Sequence, residues 1–320
     1  MKLLRVRTEL TRSPESAAHF IKSGGIVAFP TETVYGLGAD VFDASAIAKI
    51  FEAKQRPADN PLIAHIGDLN QLGGLVLELP HAAGRFIDAF FPGPLTLVLK
   101  KSESVPLIAT AGLDTIGVRM PGNALANEFL KRCGVPVAAP SANISGRPSP
   151  TTWEAVFDDL NGRIDCILQG EPTLIGLEST VVDCTSGDPI VLRPGAVSIE
   201  SLRKVVPETR SQEPGENDIA RSPGLKHKHY APNAKVVIVE AGFEIPNSAA
   251  AASAFIGRNN LGRQPQFTRI CGSAEEYARS VFEFFRECDR RNIDTIYCQA
   301  VEERGIGVAL MDRLRRAESR

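Results

Sequence analysis

The chain has 320 residues, a formal net charge of −2 and an isoelectric point near 6.3. Because single cores seldom grow beyond roughly 250–300 residues, this length predicts two domains. The charge excludes a globally polybasic protein, so any contact with RNA has to be local. The apolar runs are far shorter than the roughly 18 residues that a membrane helix needs, and we expect no spanning segment.

The cysteines are scattered, without a C-x-x-C pair, and the first residues do not resemble a secretory signal. We therefore expect reduced thiols in a cytoplasmic protein. No Ser-His-Asp order, H-E-x-x-H motif or paired-cysteine site occurs, which weighs against hydrolytic and zinc chemistry. His227 and His229 suggest a metal or RNA contact, but two histidines are too few to define a metal site.

The first predicted element is the strand Ile26–Phe29, an apolar run bounded by Gly25 and Pro30. Unpaired buried polar groups cost roughly 1–3 kcal/mol each, so a polar cluster at a strand end faces a ligand more often than a core. An ordinary solvated loop is the alternative. The cluster that follows this strand consists of Thr31, Glu32, Thr33 and Tyr35.

A helix is predicted over Asp43–Gln55, with Asp43 as its cap and a stop before Pro57. Lys54 and Arg56 lie at its C-terminal end and are candidates for anion binding. The alternative is a favourable interaction with the helix dipole, worth roughly 0.3–1 kcal/mol.

The next strand is Leu62–Ile66, and it follows Asn60 and contains His65. Taken alone, His65 is more often a satisfied core histidine than a ligand-binding one. Further strands are predicted at Leu95–Leu99, Ile116–Met120, Val135–Ala139, Cys166–Leu168, Thr180–Val182 and Ile190–Leu192. Strands that outnumber helices favour an α/β or α+β sheet over a simple βαβ repeat.

The segment Ala138–Val156 combines a strand end, a loop rich in Ser, Asn and Gly, and a predicted capping box of Thr151 and Glu154. Such a segment offers backbone N–H groups, hydroxyls and a positive helix end to an anion. A Pro-rich loop that only caps a helix is the alternative. The polar members of the loop are Ser141, Asn143, Ser145, Arg147 and Ser149.

Three further polar islands follow strands, and they contain Thr115 with Arg119, Glu178 with Ser179, and Arg193. Arginine within an apolar strand is unusual unless it is paired. Neither G-x-x-x-x-G-K-[ST] nor a complete G-x-G-x-x-G occurs. We therefore predict one cavity in which separate cations neutralise a triphosphate and a carboxylate: Lys54, Arg56, Arg119, Arg147 and Arg193.

The composition changes near Glu208, where Pro, Gly, Asn and charged residues interrupt the periodicity. We place a catalytic domain at 1–208, a linker at 209–232 and a smaller domain at 233–320. Alternating strands and helices in the last part predict a Rossmann-like fold. The second half of the linker, Ser222–Pro232 with Tyr230, is expected to close the active site; the alternative is that it packs only on the C-terminal domain.

These islands resemble the YrdC-like family in order, in its long, two-domain form. The motifs that carry the resemblance are "PTETVYGLG", "KIFEAKQRPADNPL", "FPGPLTLVL", "AGLDTIGVRMP", "PSANISGRPSPT", "GLESTVVD" and "LRPG", with "SPGLKHKHYAP" and "ERGIGVALMDRL" beyond them. They span essentially the whole chain. The resemblance implies an α/β fold with a twisted, mostly parallel sheet around a large basic cavity, followed by a Rossmann-like domain.

The resemblance also implies an activity and a set of site residues. The activity is the synthesis of threonylcarbamoyl-AMP and pyrophosphate from L-threonine, bicarbonate or carbon dioxide, and ATP. Lys54, Arg56, Ser141 and Asn143 match the catalytic K-x-R and S-x-N motifs. The implied ATP ligands are Arg56, Asn60, Thr115, Ser141, Ser149, Arg193 and Tyr230, and the implied threonine ligands are Thr33, His65, Arg119, the Ala139 backbone and Ser179.

The resemblance implies no organic prosthetic group, and it implies Mg²⁺ carried with ATP, since the sequence shows no carboxylate cluster dedicated to a metal. The implied downstream partner is a transferase that places the threonylcarbamoyl group on tRNA. Two alternatives belong to other classes. An RNA-binding module would not need hydroxyls and arginines at so many strand ends, and carbamoyltransferases with a similar domain carry acylphosphatase and zinc-finger-like segments that this sequence lacks.

Overall fold

A computed structural model of the chain describes residues 7–212, 230–245, 252–260, 265 and 267–318. These residues form a sheet of eleven strands and a sheet of four. The strands are β1 (Glu9–Thr11), β2 (Val27–Phe29), β3 (Gly36–Asp40), β4 (Ile63–His65), β5 (Leu95–Lys100), β6 (Thr115–Arg119), β7 (Val137–Ala139), β8 (Cys166–Leu168), β9 (Thr180–Asp183), β10 (Ile190–Arg193), β11 (Arg210–Ser211), β12 (Lys235–Val239), β13 (Ser253–Gly257), β14 (Phe267–Ile270) and β15 (Thr295–Gln299).

Nine α-helices are described, together with one 3₁₀ turn at Leu69–Gln71. The helices are α1 (Pro14–Lys22), α2 (Ala44–Lys54), α3 (Leu72–Leu75), α4 (His81–Phe90), α5 (Ala124–Cys133), α6 (Trp153–Leu160), α7 (Ile199–Val205), α8 (Ala274–Arg290) and α9 (Ile306–Glu318).

The large sheet has the order β1-β8-β2-β3-β7-β4-β6-β5-β9-β10-β11, and the small one has the order β12-β15-β13-β14. All three pairs of the small sheet are parallel, as the Rossmann-like prediction requires. In the large sheet parallel and antiparallel pairs occur in equal number. Eight of the thirteen pairs in the two sheets together are parallel, and the predicted α/β class is confirmed.

Helix ends follow from local side-chain chemistry. The carboxylate of Asp43 accepts the first free N–H groups of α2, and the helix ends where Gln55 adopts a left-handed φ of 53°. The predicted helix is thus confirmed. The predicted cap at Thr151 is wrong, since the hydroxyl that accepts from Ala155 N–H belongs to Thr152.

Two apolar clusters meet near the end of β2. The larger one fills the space between the large sheet and its helices. The cluster of the small sheet, α8 and α9 also includes Val34, Leu177 and Tyr230, which come from outside that sheet and its helices. The two parts of the chain therefore share buried surface.

The six cysteines are all buried, and none forms a disulfide. In the part of the chain that the structure describes, no helix has both the length and the apolar character needed to cross a membrane. Most of the predicted linker, including His227 and His229, lies outside the described residues. The domain boundaries stay predictions, although β11 pairs with β10 and thus extends the large sheet to residue 211.

Candidate active site

One cavity brings together most of the residues that the sequence singled out. Eleven of the fourteen predicted site residues line it: Thr33, Arg56, His65, Arg119, Ala139, Ser141, Asn143, Ser149, Ser179, Arg193 and Tyr230. They come from strand ends and connecting loops of the large sheet and, with Tyr230, from the entry to the small sheet. The polar islands that the sequence places near strand ends thus lie together around one cavity.

Lys54, Asn60 and Thr115 do not line this cavity. The amine of Lys54, only 1% exposed, donates to the carbonyls of Ser141 and Asn143 at 2.5 Å each. Burial, followed by the nearby Arg56 charge, holds the pKa of Lys54 well below its ordinary value. Lys54 therefore supports the Ser141–Ser149 loop from behind.

The other two residues are also buried. The carbonyl of Asn60 accepts from Arg56 Nη2 at 3.3 Å, so Asn60 orients an arginine that does face the cavity. Thr115 begins β6, whereas Arg119 ends it. The same strand thus carries both residues, at opposite ends.

The polar cluster after β2 is held together by Arg119. Arg119 Nη1 donates to the Thr33 hydroxyl at 2.8 Å, and Nη2 lies 2.7 Å from Glu32 Oε1. Thr31 donates to the carbonyl of Val34 and shares a 2.8 Å hydrogen bond with Thr33. Burial opposes ionisation of Glu32, but the charge of Arg119 and hydrogen bonds to the carboxylate together outweigh it, and the pKa of Glu32 lies below its ordinary value.

His65 is both a core residue and a cavity residue. Its ring packs edge-on against Phe29 at 5.6 Å, and Nδ1 lies 3.1 Å from the carbonyl of Ile63. Burial, and then the charge of Arg119, lower the pKa of His65 to about 3. The ring is therefore neutral at physiological pH.

The loop after β7 is fixed by its own side chains. Ser141 Oγ donates to Asn143 Oδ1 at 2.6 Å, and the Asn143 amide donates to the carbonyls of Ile144 and Arg147 at 2.9 Å. Arg147 lines the cavity, as predicted, although its side chain is half exposed and lies 2.8 Å from Asp159 of α6. Asp159 also pairs with Arg286, so its single negative charge is shared by two arginines.

Arg193, which is buried, and Arg56, which is partly buried, bring positive charge to the cavity and donate to oxygen atoms of the protein. Arg193 donates to the carbonyl of Ser179 at 3.0 and 3.1 Å and to its hydroxyl at 3.2 Å. The Ser179 hydroxyl shares a 2.8 Å hydrogen bond with Thr96, a residue that sequence reasoning missed. Burial lowers the pKa of Arg56 to about 10, so it remains a cation at neutral pH.

Glu178 lies at the boundary between the two sheets. Its carboxylate accepts from the Ser149 hydroxyl at 2.6 Å and from Arg313 Nε at 2.8 Å. Arg313 was not predicted, although it lies in the "ERGIGVALMDRL" motif. No signal in the sequence pairs Glu178 with Arg313.

The acidic side chains next to the cavity are engaged by arginines. Glu32 pairs with Arg119, and Glu178 pairs with Arg313. Within the described ranges, no three or more His, Cys, Asp or Glu side chains are grouped as a metal site. This donor set suits a polyanion that brings its own cation.

Comparison with known families and proteins identifies two matches along the chain. Residues 19–195 match the family model described as Telomere recombination, which covers Sua5, YciO and YrdC proteins. Residues 197–319 match the model described as Threonylcarbamoyl-AMP synthase, C-terminal domain.

Curated relatives match the chain over nearly its full length. Threonylcarbamoyl-AMP synthase from Pyrococcus abyssi is 46% identical over 94% of this chain and 92% of its own. The Bacillus subtilis protein of the same name is 38% identical over 96% and 94%.

Solved structures agree with these matches. Sua5 from P. abyssi in complex with L-threonine has a TM-score of 0.90, 44% identity, and coverage of 98% of this chain and 97% of that one. HypF in a phosphate- and nucleotide-bound form has a TM-score of 0.50 at 21% identity over 56% of this chain and 28% of its own, a likeness of fold alone.

Proposed function

The chain belongs to the threonylcarbamoyl-AMP synthase family, and we propose that the cavity described above is where it joins L-threonine, bicarbonate or carbon dioxide, and ATP. The enzyme is a nucleotidyltransferase that makes threonylcarbamoyl-AMP, the donor for threonylcarbamoyladenosine in tRNA. The observation that carries the proposal is the convergence of buried Arg119 and Arg193 and partly buried Arg56 on one cavity edged by Ser and Thr hydroxyls.

The threonine subsite is proposed on the side of the cavity near β4 and β6. Arg119 supplies the positive charge that a substrate carboxylate needs, and Thr33 is already oriented by it at 2.8 Å. Neutral His65 offers a ring nitrogen without adding charge. The Ala139 backbone and Ser179 complete the proposed set. The complex of the P. abyssi relative with L-threonine supports threonine as a substrate.

The nucleotide subsite is proposed on the side near the Ser141–Ser149 loop. Arg56 and Arg193 are the cations that balance the phosphates, and Ser141 and Ser149 supply hydroxyl donors. Tyr230 covers the nucleotide with its ring. Asn60 contributes by holding Arg56, whereas no contact described here connects Thr115 to the cavity.

The chemistry requires positioning and charge stabilisation rather than a protein nucleophile. The threonine amine adds to carbon dioxide and loses a proton to give a carbamate. A carbamate oxygen then attacks the α-phosphorus, and the bond to pyrophosphate breaks. Arg56, Ser141 and Asn143 border the space where this charge develops, and Lys54 fixes their loop.

Mg²⁺ is proposed as part of the substrate, bound to phosphate oxygens of ATP and water. Glu32 and Glu178 support this assignment, because each carboxylate already pairs with an arginine. We also propose a cytoplasmic location and product transfer to a tRNA-modifying transferase, with any direct RNA contact confined to local basic residues.

The test is pyrophosphate release from ATP with and without L-threonine and bicarbonate. We expect release only when both are present, because the carbamate has to form before the α-phosphorus is attacked. Equal release without threonine would contradict the proposed reaction.

A further inference from the structure

Arg313 is a fully buried arginine on α9, the last helix of the chain. Its side chain is 1% exposed, and all three of its nitrogens donate: Nε to Glu178 at 2.8 Å, Nη1 to Asp312 at 2.6 Å and Nη2 to the carbonyl of Pro194 at 3.1 Å. Arginine is almost never fully buried unless it is paired in this way. Its position is therefore specified by several segments at once.

These partners belong to the proposed nucleotide subsite. Glu178 accepts the Ser149 hydroxyl at 2.6 Å, and Pro194 directly follows Arg193. The Arg313 guanidinium carbon also lies 5.3 Å from the centre of the Tyr230 ring, and the same ring stacks on Phe282 at 5.4 Å between ring centres. One side chain from the C-terminal part thus contacts three segments that line the cavity.

The planar fork of a guanidinium sets the directions of all these contacts together. A lysine keeps the charge but has no rigid fork, so it cannot hold Glu178 and Pro194 in the same geometry. Loss of the contact would also leave Glu178 buried with only the Ser149 hydroxyl as a described partner.

We propose that Arg313 is a positioning residue that holds the nucleotide side of the active site. It acts through Glu178 and Ser149, through the Arg193–Pro194 turn and through the Tyr230 ring, without touching substrate. The proposal rests on the proposed function and assigns the C-terminal domain a direct part in it.

The effect is expected to be selective for ATP. Arg119, in the proposed threonine subsite, donates instead to the Thr33 hydroxyl and the carbonyl of Gly93 and forms an ion pair with Glu32, all within the catalytic part. A variant that only destabilised the fold would weaken the binding of ATP and of threonine to the same extent.

The experiment compares Arg313→Lys with wild type by calorimetric titration of ATP and, separately, of L-threonine. We expect the dissociation constant for ATP to rise about 10-fold, the effect of one charge-assisted hydrogen bond, and that for threonine to change less than about 2-fold. The matched control is Arg315→Lys, a substitution on the same helix whose partner Glu303 is on the surface. The control should bind both ligands like wild type.

A second variant, Glu178→Gln, removes the ion pair while keeping the side-chain volume. It provides the test of the proposal if Arg313→Lys does not fold. It should show the same selective loss, and the double variant should lose less than the product of the two single effects. Wild-type affinity for ATP in both single variants, or equal weakening of both ligands, would overturn the positioning role. Failure of the proposed function is a separate result, since wild type would then show no threonine-dependent pyrophosphate release.

Discussion

The two parts of the molecule hold their buried and partly buried arginines in different ways. Around the cavity, buried Arg193 and partly buried Arg56 donate to carbonyls and hydroxyls. At the boundary with the small sheet, Arg286 and Arg313 each meet a buried carboxylate, Asp159 or Glu178. Neutral partners preserve positive charge for a polyanion, whereas carboxylates cancel it and connect the two parts. Arg119 is the exception, because it faces the cavity and also pairs with Glu32.

The largest expected effect tests the polar character of the cavity. Valine in place of threonine should lower kcat/KM by about 10⁴-fold, because a site built to bond a hydroxyl leaves buried polar groups unpaired when the hydroxyl is missing. Serine, which lacks only a methyl, should cost about 10- to 200-fold. Pyrophosphate release with each amino acid measures this, and efficient use of valine would argue against hydroxyl recognition.

The next prediction tests how much the ion pair between Arg286 and Asp159, at the boundary with the small sheet, stabilises the protein. Arg286→Ala should lower the free energy of unfolding by about 3 kcal/mol, the low end for breaking a buried ion pair, because Asp159 would lose its buried partner and keep, among the described residues, only half-exposed Arg147 as a charged partner. Arg286 Nη2 lies 2.8 Å from that carboxylate and also donates to the carbonyl of Pro148. Urea titration gives the value.

Arg290→Ala is the control for this experiment. Arg290 is one helical turn further along α8, and its pairs with Glu283 and Glu287 are largely exposed. Its loss should cost only about 0–1 kcal/mol. Similar effects of the two substitutions would show that the boundary depends on packing rather than on the ion pair.

A third prediction returns to the cavity, where charge should matter for turnover more than for stability. Arg193→Ala should weaken ATP use by about 10- to 100-fold, since a charge-assisted hydrogen bond is worth roughly 1.5–3 kcal/mol. Steady-state kinetics with varied ATP measures it. Arg203→Ala, a substitution on the surface side of α7, provides a control, and normal ATP use by Arg193→Ala would remove this residue from the site.

The smallest predicted effect concerns stability and pH. The folded-state pKa of His65, about 3, lies below its ordinary value of 6.5, so the unfolded chain binds more protons between these values. Stability should therefore fall as the pH falls, by about 2 kcal/mol between pH 7 and pH 5 from this group. Arg119 and Glu32 are the charges that face His65.

Urea unfolding at the two pH values checks this prediction. His65→Gln should show a smaller loss than wild type, whereas His81→Gln, at an exposed histidine, should behave like wild type. An unchanged pH dependence in His65→Gln would show that His65 does not control it.

Local patterns predicted the elements of the structure well. The predicted strand Leu95–Leu99 is β5 (Leu95–Lys100), and the predicted helix Asp43–Gln55 is α2 (Ala44–Lys54). The strand Gly36–Asp40 was missed because its two glycines weaken the apolar pattern of a strand. The Phe29 ring lies close to both glycines, and a Cβ atom at Gly38 would lie 2.4 Å from Val137.

Long-range pairs could not be predicted from spacing. Arg313 and Glu178 are 135 residues apart, and Arg286 and Asp159 are 127 apart. Many cavity residues could be predicted because they lie at a strand end or in the loop after one, as His65, Arg119 and Ser141 do. Lys54 was placed in the cavity from its position at a helix end and from the family resemblance, but its amine donates to two backbone carbonyls instead.

The position of Lys54 has a consequence for chemical rescue. Lys54→Ala would remove a fully buried side chain and leave the carbonyls of Ser141 and Asn143 without their amine donor. Propylamine matches the atoms that this substitution removes, so it is the amine to add in a rescue experiment. Activity restored by the added amine would come from a molecule that repairs the loop from behind, which distinguishes a structural support from a group that touches the reacting atoms.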